Sequence, residues 1–402
     1  MSTEDIATEF VRMGLAINEH FPGYVDSYYG PHEIAQAIQD EGKRSLTDLE
    51  ALANDFAYAI TSNPSVQPDR REYLLSELAA MHTTLRILQG ESPGIIEEVR
   101  RLYGVTPDWV EESSFAEAHQ ALAAILPGTD PVSERVRVFR EKMRIPVQVA
   151  APIIMRLGAT LQERVRARFP LPSQENCEFA FVREKPWLAY NWYFGASTSR
   201  IDFNEDRPIF IHQLPYVVAH ESYPGHHTEH AIKEEKLYRK EGRLEHAILL
   251  NNTPSALVSE GIAMNALEAI MEPEEIVAIY RDILKEAGIP VQEAPRVREF
   301  VLAQRPLGKV SDNQLLLLHR DGAPDEEVIA YGIRYGLSTD ELERQSMEFL
   351  KDPLWRSYGF NYTLGRQIVE SYLSASTDRL EAFSRLLQSP LTPGQVVAAT
   401  TQ

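Results

Sequence analysis

The feature that most constrains this chain is the run His220-Glu221-Ser222-Tyr223-Pro224-Gly225-His226-His227, close to the middle of its 402 residues. It starts as a zinc-hydrolase helix starts, with a His followed directly by a Glu. In the common form, H-E-x-x-H, the second His comes four residues on, one turn along the same face. Both imidazoles then meet one ion, and the Glu between them acts as general base. Here the i+4 position holds Pro224, which cannot ligate, and histidines follow at i+6 and i+7. An unbroken helix puts i+6 about 240° round the axis, at ~100° per residue, and so away from His220. A Pro-Gly pair is nevertheless a place for a helix to kink, break or bulge. Read as a two-residue insertion, it returns His226 to the place of the second ligand. His227 shares the helix face of His220 but lies two turns up, ~10.5 Å along the axis at 1.5 Å per residue. The pattern favours His226 and keeps His227 as the alternative. His230, four after His226, leaves open a ligand pair within the second helical segment.

H-E-x-x-P-G-H-H resembles the signature of the domain of unknown function 885 family, proteins regarded as zincin-like metallopeptidases. The dipeptidyl peptidase III family is a partial precedent, with one extra residue before its second His. Other stretches resemble the same family: Phe21 to Pro31 near the start, Glu260-Gly261-Ile262-Ala263 after the motif, and Tyr362-Thr363-Leu364-Gly365-Arg366 near the end. The resemblance implies a mainly α, two-lobed zincin-like fold with a small β-sheet beside the metal-binding helix. It implies metal-assisted hydrolysis and no particular substrate.

A hydrolytic zinc site needs three protein ligands and one open position. On this reading His220 and His226 supply imidazoles, and Glu260, in the E-G-x-A segment, a carboxylate from the next helix. One Zn2+ is the expected cofactor, although a two-His-one-Glu set also accepts manganese or cobalt. Zinc polarises the scissile carbonyl and lowers the pKa of water towards ~7. Glu221 would take the water's proton and pass it to the leaving amine. Tyr362 is the candidate donor to the tetrahedral intermediate. Arg366, four residues later, would share that task or bind a substrate carboxylate, which suits a guanidinium.

With 40 basic and 59 acidic residues the chain carries a net charge of −19, which argues against nucleic acid and anionic membranes as partners. The single cysteine, Cys177, excludes an intrachain disulfide and a Cys-rich zinc site, and reads as a buried, inert thiol. Residues 1–10 have neither a basic nor an apolar signal region, and no run of eighteen apolar residues occurs. A cytoplasmic protein acting on a peptide or small amide is expected. Its oligomeric state is not encoded legibly.

Ile6, Phe10, Met13 and Ile17 lay an apolar stripe along one helix, and Leu74, Leu78, Met81, Leu85 and Leu88 another, closed by Gly90 and Pro93. A helix is expected over 46–60, capped by Ser45 or Thr47, and helical spacing runs from Ser133 to Arg168. His82 reads as helix surface, and His319 to Gly322 as a helix end. Phe21 to Pro31 is either an aromatic plug or a loop lining the cleft. Pro170-Leu171-Pro172 is the candidate boundary between an N-terminal helical lobe (1–172) and a metal-binding lobe (173–402), packed as one unit round a cleft. Residues 178–182 and 199–204 alternate as strands do, with a strand or wide loop between them. Asn191, Tyr193 and Ser199 could line an edge that holds extended substrate. The motif helix starts after Pro208 or Pro215, and the Glu260 helix after Thr253 as N-cap. The same site would also serve another amide or an ester, and a non-catalytic binding protein on this fold is the reading from a different class.

Overall fold

Ser2 and Asp5 cap each other's backbone at the start of the first helix, Thr3–Asn18, with bonds of 2.7 and 3.0 Å. The computed structural model describes residues 1–185 and 187–400. The first helix buries Ile6, Phe10, Met13 and Ile17 against Leu46–Ser62 and Pro68–Leu88, whose Phe56, Leu74, Leu78 and Leu85 complete one apolar cluster. Of the two candidate caps of Leu46–Ser62, Ser45 is the one that accepts the Asp48 N–H. The helical run expected over 133–168 is divided. Helices Val132–Lys142 and Val147–Arg166 flank a two-residue strand, because Pro146 has no N–H with which to continue the first.

The fold is mainly α, with small sheets built from β1 (Val25–Tyr28), β2 (Arg144–Ile145), β3 (Asn176–Val182), β4 (Ala189–Gly195), β5 (Thr198–Asn204), β6 (Ile209–Phe210) and β7 (Ile248–Leu250). β1 pairs with β7 and β2 with β6. The three-stranded sheet has the order β3-β5-β4, with β3 parallel and β4 antiparallel to β5. The stretch left open as strand or loop is therefore an edge strand. Since Asn204 N–H bonds Leu188 C=O and Leu188 opposes Asn204, the main-chain groups of Ala189, Asn191 and Tyr193 point to the outer side of β4. Phe21 and Tyr24 are buried plugs, whereas Asp26 and Tyr29 face a cavity, so both readings of that aromatic segment hold in part. One apolar cluster spans Pro170-Leu171-Pro172, joining Phe115, Leu157 and Phe169 to Ile201, Val218, Ile262 and Phe383. No helix among the described residues is long and apolar enough to cross a membrane.

The helix Pro254–Ile270 runs through the middle, and three contacts fix it. Thr253 stands at its N-cap and Pro254 in its first turn, but the Thr253 hydroxyl meets Leu250 C=O and Ser255 Oγ instead of a helix N–H. Glu77, from Pro68–Leu88, supplies the cap: its carboxylate accepts Ser255 N–H at 2.8 Å and Ser255 Oγ–H at 2.9 Å. Further along, Gly261 meets Gly365 so closely that a Cβ on Gly261 would lie 2.3 Å from the Gly365 carbonyl oxygen. A Cβ on Gly365 would lie 2.4 Å from the Leu257 carbonyl oxygen. The glycines of the E-G-x-A and Tyr-x-x-Gly segments thus touch, and that contact brings Glu260 beside the π-helical turn Asn361–Gly365. Gly261→Ala is expected to cost ~1–3 kcal/mol through overpacking. A lower urea midpoint at unchanged slope would show it; an unchanged midpoint would mean that the helices can separate freely.

Asp312, on the helix Val310–His319, is buried, and burial raises its carboxyl to about 7 against the opposing Thr363 hydrogen bond and Lys309 charge. A raised folded pKa means that the native state holds this proton more tightly than the unfolded chain, whose Asp titrates near ~3.9. This residue's contribution therefore falls as pH rises from about 4 to about 7 and then levels. Asp312→Asn should gain stability relative to the parent by on the order of 1–4 kcal/mol at pH ~8, and much less at pH ~4.5. Urea unfolding of both proteins at the two pH values measures the difference.

Candidate metal centre

The first motif helix, Leu214–Glu221, ends at Ser222, and the second, His226–Lys233, follows after the Pro-Gly step. Pro215 lies in the first turn of the former, so the helix begins at the later of its two candidate starts. Across the step, Gly225 N–H bonds Ala219 C=O at 2.9 Å and Thr228 N–H bonds Ser222 C=O at 3.2 Å. Both bonds reach back six residues, where an α-helix reaches back four. The chain has absorbed two extra residues, and His226 takes the place that i+4 holds in an unbroken motif. Only glycine fits there: a Cβ on Gly225 would sit 1.9 Å from the His220 carbonyl oxygen.

The rings of His220 and His226 come within 4.7 Å, nearly perpendicular at 88°. Their Nε2 atoms lie 3.4 and 3.8 Å from Glu260 Oε2. One ligand atom from each of the three residues falls within 4.8 Å of the others, close enough to hold a single ion. Glu260 Oε1 accepts the Tyr358 hydroxyl at 2.9 Å, while Oε2 is buried with no hydrogen-bond partner among the described residues.

Supporting bonds set the tautomer of His226. Ser259 Oγ–H donates to Glu229 Oε2 at 2.6 Å and therefore accepts from the His226 Nδ1–H at 3.1 Å. That leaves the Nε2 lone pair facing Glu260, the outer arrangement that orients metal-binding imidazoles. Burial, then the charge of His226, holds His220 well below the usual imidazole range; burial, then His230, brings His226 down to about 4. Burial raises Glu221 to about 8, helped by the charges of Glu260 and Asp26. It raises Glu260 to about 8 as well, against the Tyr358 hydrogen bond. Two neutral imidazoles and a carboxylate oxygen without a donor suit a divalent cation. A second cluster, His226, Glu229 and His230, has similar spacing, but Lys233 already bonds Glu229 at 2.6 Å and Ser259 engages both its Glu229 and its His226.

His227 does not join the centre. It is fully buried, with Nε2–H on Glu175 Oε2 at 2.9 Å and Nδ1 against Ser199 Oγ at 2.9 Å, so neither ring nitrogen is free. Burial opposes ionisation of Glu175, but hydrogen bonds from His227 and Tyr223 hold its carboxyl at about 2. Ser199 is thereby committed to His227, and the Tyr193 hydroxyl bonds buried Glu234; neither lines the expected edge. Asn191 does. Its Nδ2–H donates to the Glu221 carbonyl at 2.6 Å, tying β4 to the end of the motif helix.

Glu221 and the three clustered residues open into a cavity of about 650 Å³. Tyr362 stands on its wall, 40% exposed, with its ring edge-on to Tyr358 at 5.9 Å. The charge of Glu260, then burial and Glu221, keep its hydroxyl protonated. Arg366 is elsewhere. Its Nη2 lies 3.8 Å from Glu268 and its Nε 3.8 Å from Glu370, outside the cavity wall. An α-helical spacing would have aligned it with Tyr362, but Tyr362 sits in a π turn, where four residues fall short of a full turn. Sequence reasoning missed Ser259, Glu229 and Tyr358 behind the cluster, and Tyr190, whose hydroxyl bonds half-buried Asp26 on the cavity wall. Asp26 and Tyr190 lie in aromatic-rich stretches, which was the available signal. Cys177 is partly buried, its thiol pushed up by burial and then by Glu175; His82 lies 3.4 Å from Glu50 on the helix surface.

No protein-family model matches this chain, and no curated protein matches it. Among solved structures, it is similar to a protein of Colwellia psychrerythraea described as a candidate lipoprotein. The TM-score is 0.53 at 13% identity, covering 87% of this chain and 65% of that one. At that identity the likeness concerns the fold alone.

Metal content per chain distinguishes the histidines. Wild type is expected to carry about one equivalent, His226→Ala to lose it, and His227→Gln to keep it at a lower melting temperature. Ser259→Ala should weaken binding ~10–100-fold, the usual effect of removing an orienting partner. Loss of metal in His227→Gln with retention in His226→Ala would reverse the assignment.

Proposed function

We propose that this chain is a zinc-dependent hydrolase, acting most naturally as a metallopeptidase on peptide amide bonds. The observation that carries the reading is the buried, donorless Glu260 Oε2 facing two neutral imidazoles, with Glu221 beside them on one cavity wall. The likeness of His220 to His227 to the domain of unknown function 885 signature points the same way.

His220, His226 and Glu260 would hold the ion. When bound, it supplies Lewis-acid polarisation of the scissile carbonyl and an acidified water. Glu221 takes the proton of the attacking water and returns it to the leaving nitrogen. The Asn191 bond to its carbonyl fixes the end of the helix that bears it. Tyr362, protonated and aimed into the cavity, donates to the developing oxyanion. Extended substrate lies along β4, whose outward main-chain groups at Ala189 and Asn191 belong to the cavity wall and can pair as an added strand. The aromatic lining from Tyr190, Trp355 and Tyr358 gives apolar side chains a surface to cover.

A mass-spectrometric cleavage screen on a mixed peptide pool tests this. Zinc-loaded wild type should cut, and Glu221→Gln should keep its metal while losing ~10²–10⁴-fold in rate, the usual range for a general base. Tyr362→Phe should lower kcat ~10²–10³-fold with KM little changed. A metal-loaded wild type that cuts nothing, or a Glu221→Gln variant of full activity, would sink the peptidase mechanism.

A further inference from the structure

Behind the metal centre, on the far part of the helix that bears Glu260, three arginines converge on one carboxylate. Glu268 stands two turns beyond Glu260. Its Oε1 accepts Arg305 Nη2–H at 2.8 Å and the Tyr216 hydroxyl at 3.1 Å. Arg298 Nη1 is 3.6 Å from the same oxygen, and Arg366 Nη2 is 3.8 Å from Oε2. Those two distances exceed a hydrogen bond. Arg298 Nη1 and Arg366 Nε and Nη2 are in fact buried with no hydrogen-bond partner among the described residues.

The three side chains come from separate elements: Arg298 from the helix Ala294–Gln304, Arg305 from the turn Arg305–Lys309, and Arg366 from the start of Arg366–Ala375. Each retains only 12–21% of its side-chain exposure. A guanidinium cannot shed its charge as a buried lysine can. Three positive charges therefore share one carboxylate, Glu268, which itself keeps 17% of its side-chain exposure. The nearest further acid, Glu370, is 48% exposed and 3.8 Å from Arg366 Nε. In a chain of net charge −19 this excess is local and enclosed. Burial, and then the charge of Arg305, lower Arg366 from the usual guanidinium range, whereas in Arg305 burial is outweighed by the bond to Glu268.

We propose that Arg298, Arg305 and Arg366 form a binding site for a phosphate group, separate from the metal cavity. Idle N–H groups from planar forks on different elements match the several oxygens of a tetrahedral oxyanion, the partner for which guanidinium geometry is best suited. The site has a structural route to the centre. Arg366 follows Gly365, whose backbone touches Gly261 beside Glu260, so a phosphate drawing Arg366 inward would brace the contact that positions the third ligand. The proposal does not depend on what the metal centre catalyses.

Thermal unfolding of the full chain as purified, in inorganic phosphate against chloride at matched ionic strength, is the first test. Phosphate is expected to raise Tm in wild type, and Arg298→Met and Arg366→Met should each abolish the rise. A rise that persists in both variants would reflect general salting or phosphate on the metal, and would overturn the proposal. So would equal Tm in the two salts. Should the variants fold poorly, arginine modification by phenylglyoxal, mapped by mass spectrometry, uses wild type alone. Phosphate at ~10 times its dissociation constant should slow modification of the three arginines about tenfold. Arg183, 71% exposed at its side chain, should be unaffected. Equal rates with and without phosphate at the three positions would refute the site. Repeating the protection with methyl phosphate distinguishes sources: protection equal to that by phosphate means an esterified group is accepted, and protection by phosphate alone means the site takes the free ion.

Discussion

The whole centre rests on an absent side chain. Gly225 packs its Cα against the carbonyls of Ala219 and His220, and only that closeness lets the chain resume a helical course after two extra residues. Any larger residue would push the second motif helix away and carry His226 off with it. Buried hydrogen bonds to Ser222 and Ser259 then hold the second helix at the angle that glycine permits. The space left by one missing side chain is thus converted into a fixed pair of imidazoles.

The third residue of the cluster is secured from elsewhere, by packing and by borrowed polar groups. Glu77 reaches across from the N-terminal helices to cap its helix, Tyr358 fixes one carboxylate oxygen, and Gly261 lies flat against Gly365. Gathering Glu221, Glu260 and Asp26 round two imidazoles costs solvation, and burial shows in the raised carboxyls of all three. The extended apolar clusters on either side make such a polar centre tolerable.

How far this was legible follows from how local each determinant is. The apolar stripes of Thr3–Asn18 and Pro68–Leu88 and the Ser45 cap are written within one or two turns of chain, and each formed as the spacing indicated; the runs read as strands formed too, but β5 buries Ile201 to Asn204 without alternating. The pairing of His220 with His226 could be read because the Pro-Gly pair announces its own insertion, whereas Glu260 was reached only through the likeness of its E-G-x-A segment. Arg366 could not be placed, since a π turn leaves no mark in residue periodicity and changes which side the next residue faces. The partners of His227, Tyr193 and Ser259 were equally hidden. Glu175, Glu234 and Glu229 are ordinary acids in sequence and acquire their roles only when distant segments are brought together.

The Gly261–Gly365 contact has a consequence for biosynthesis. Both histidines and Glu260 leave the ribosome within some forty positions of one another, but the residues that steady Glu260, Tyr358 and Gly365, emerge about a hundred positions later. At ~5–20 residues per second, that gap lasts roughly 5–20 s. During it the nascent chain carries two imidazoles with an unanchored carboxylate. The geometry that brings Glu260 up to the two imidazoles therefore closes only after Gly365 has been made, a timing set by where two glycines fall in the order of translation.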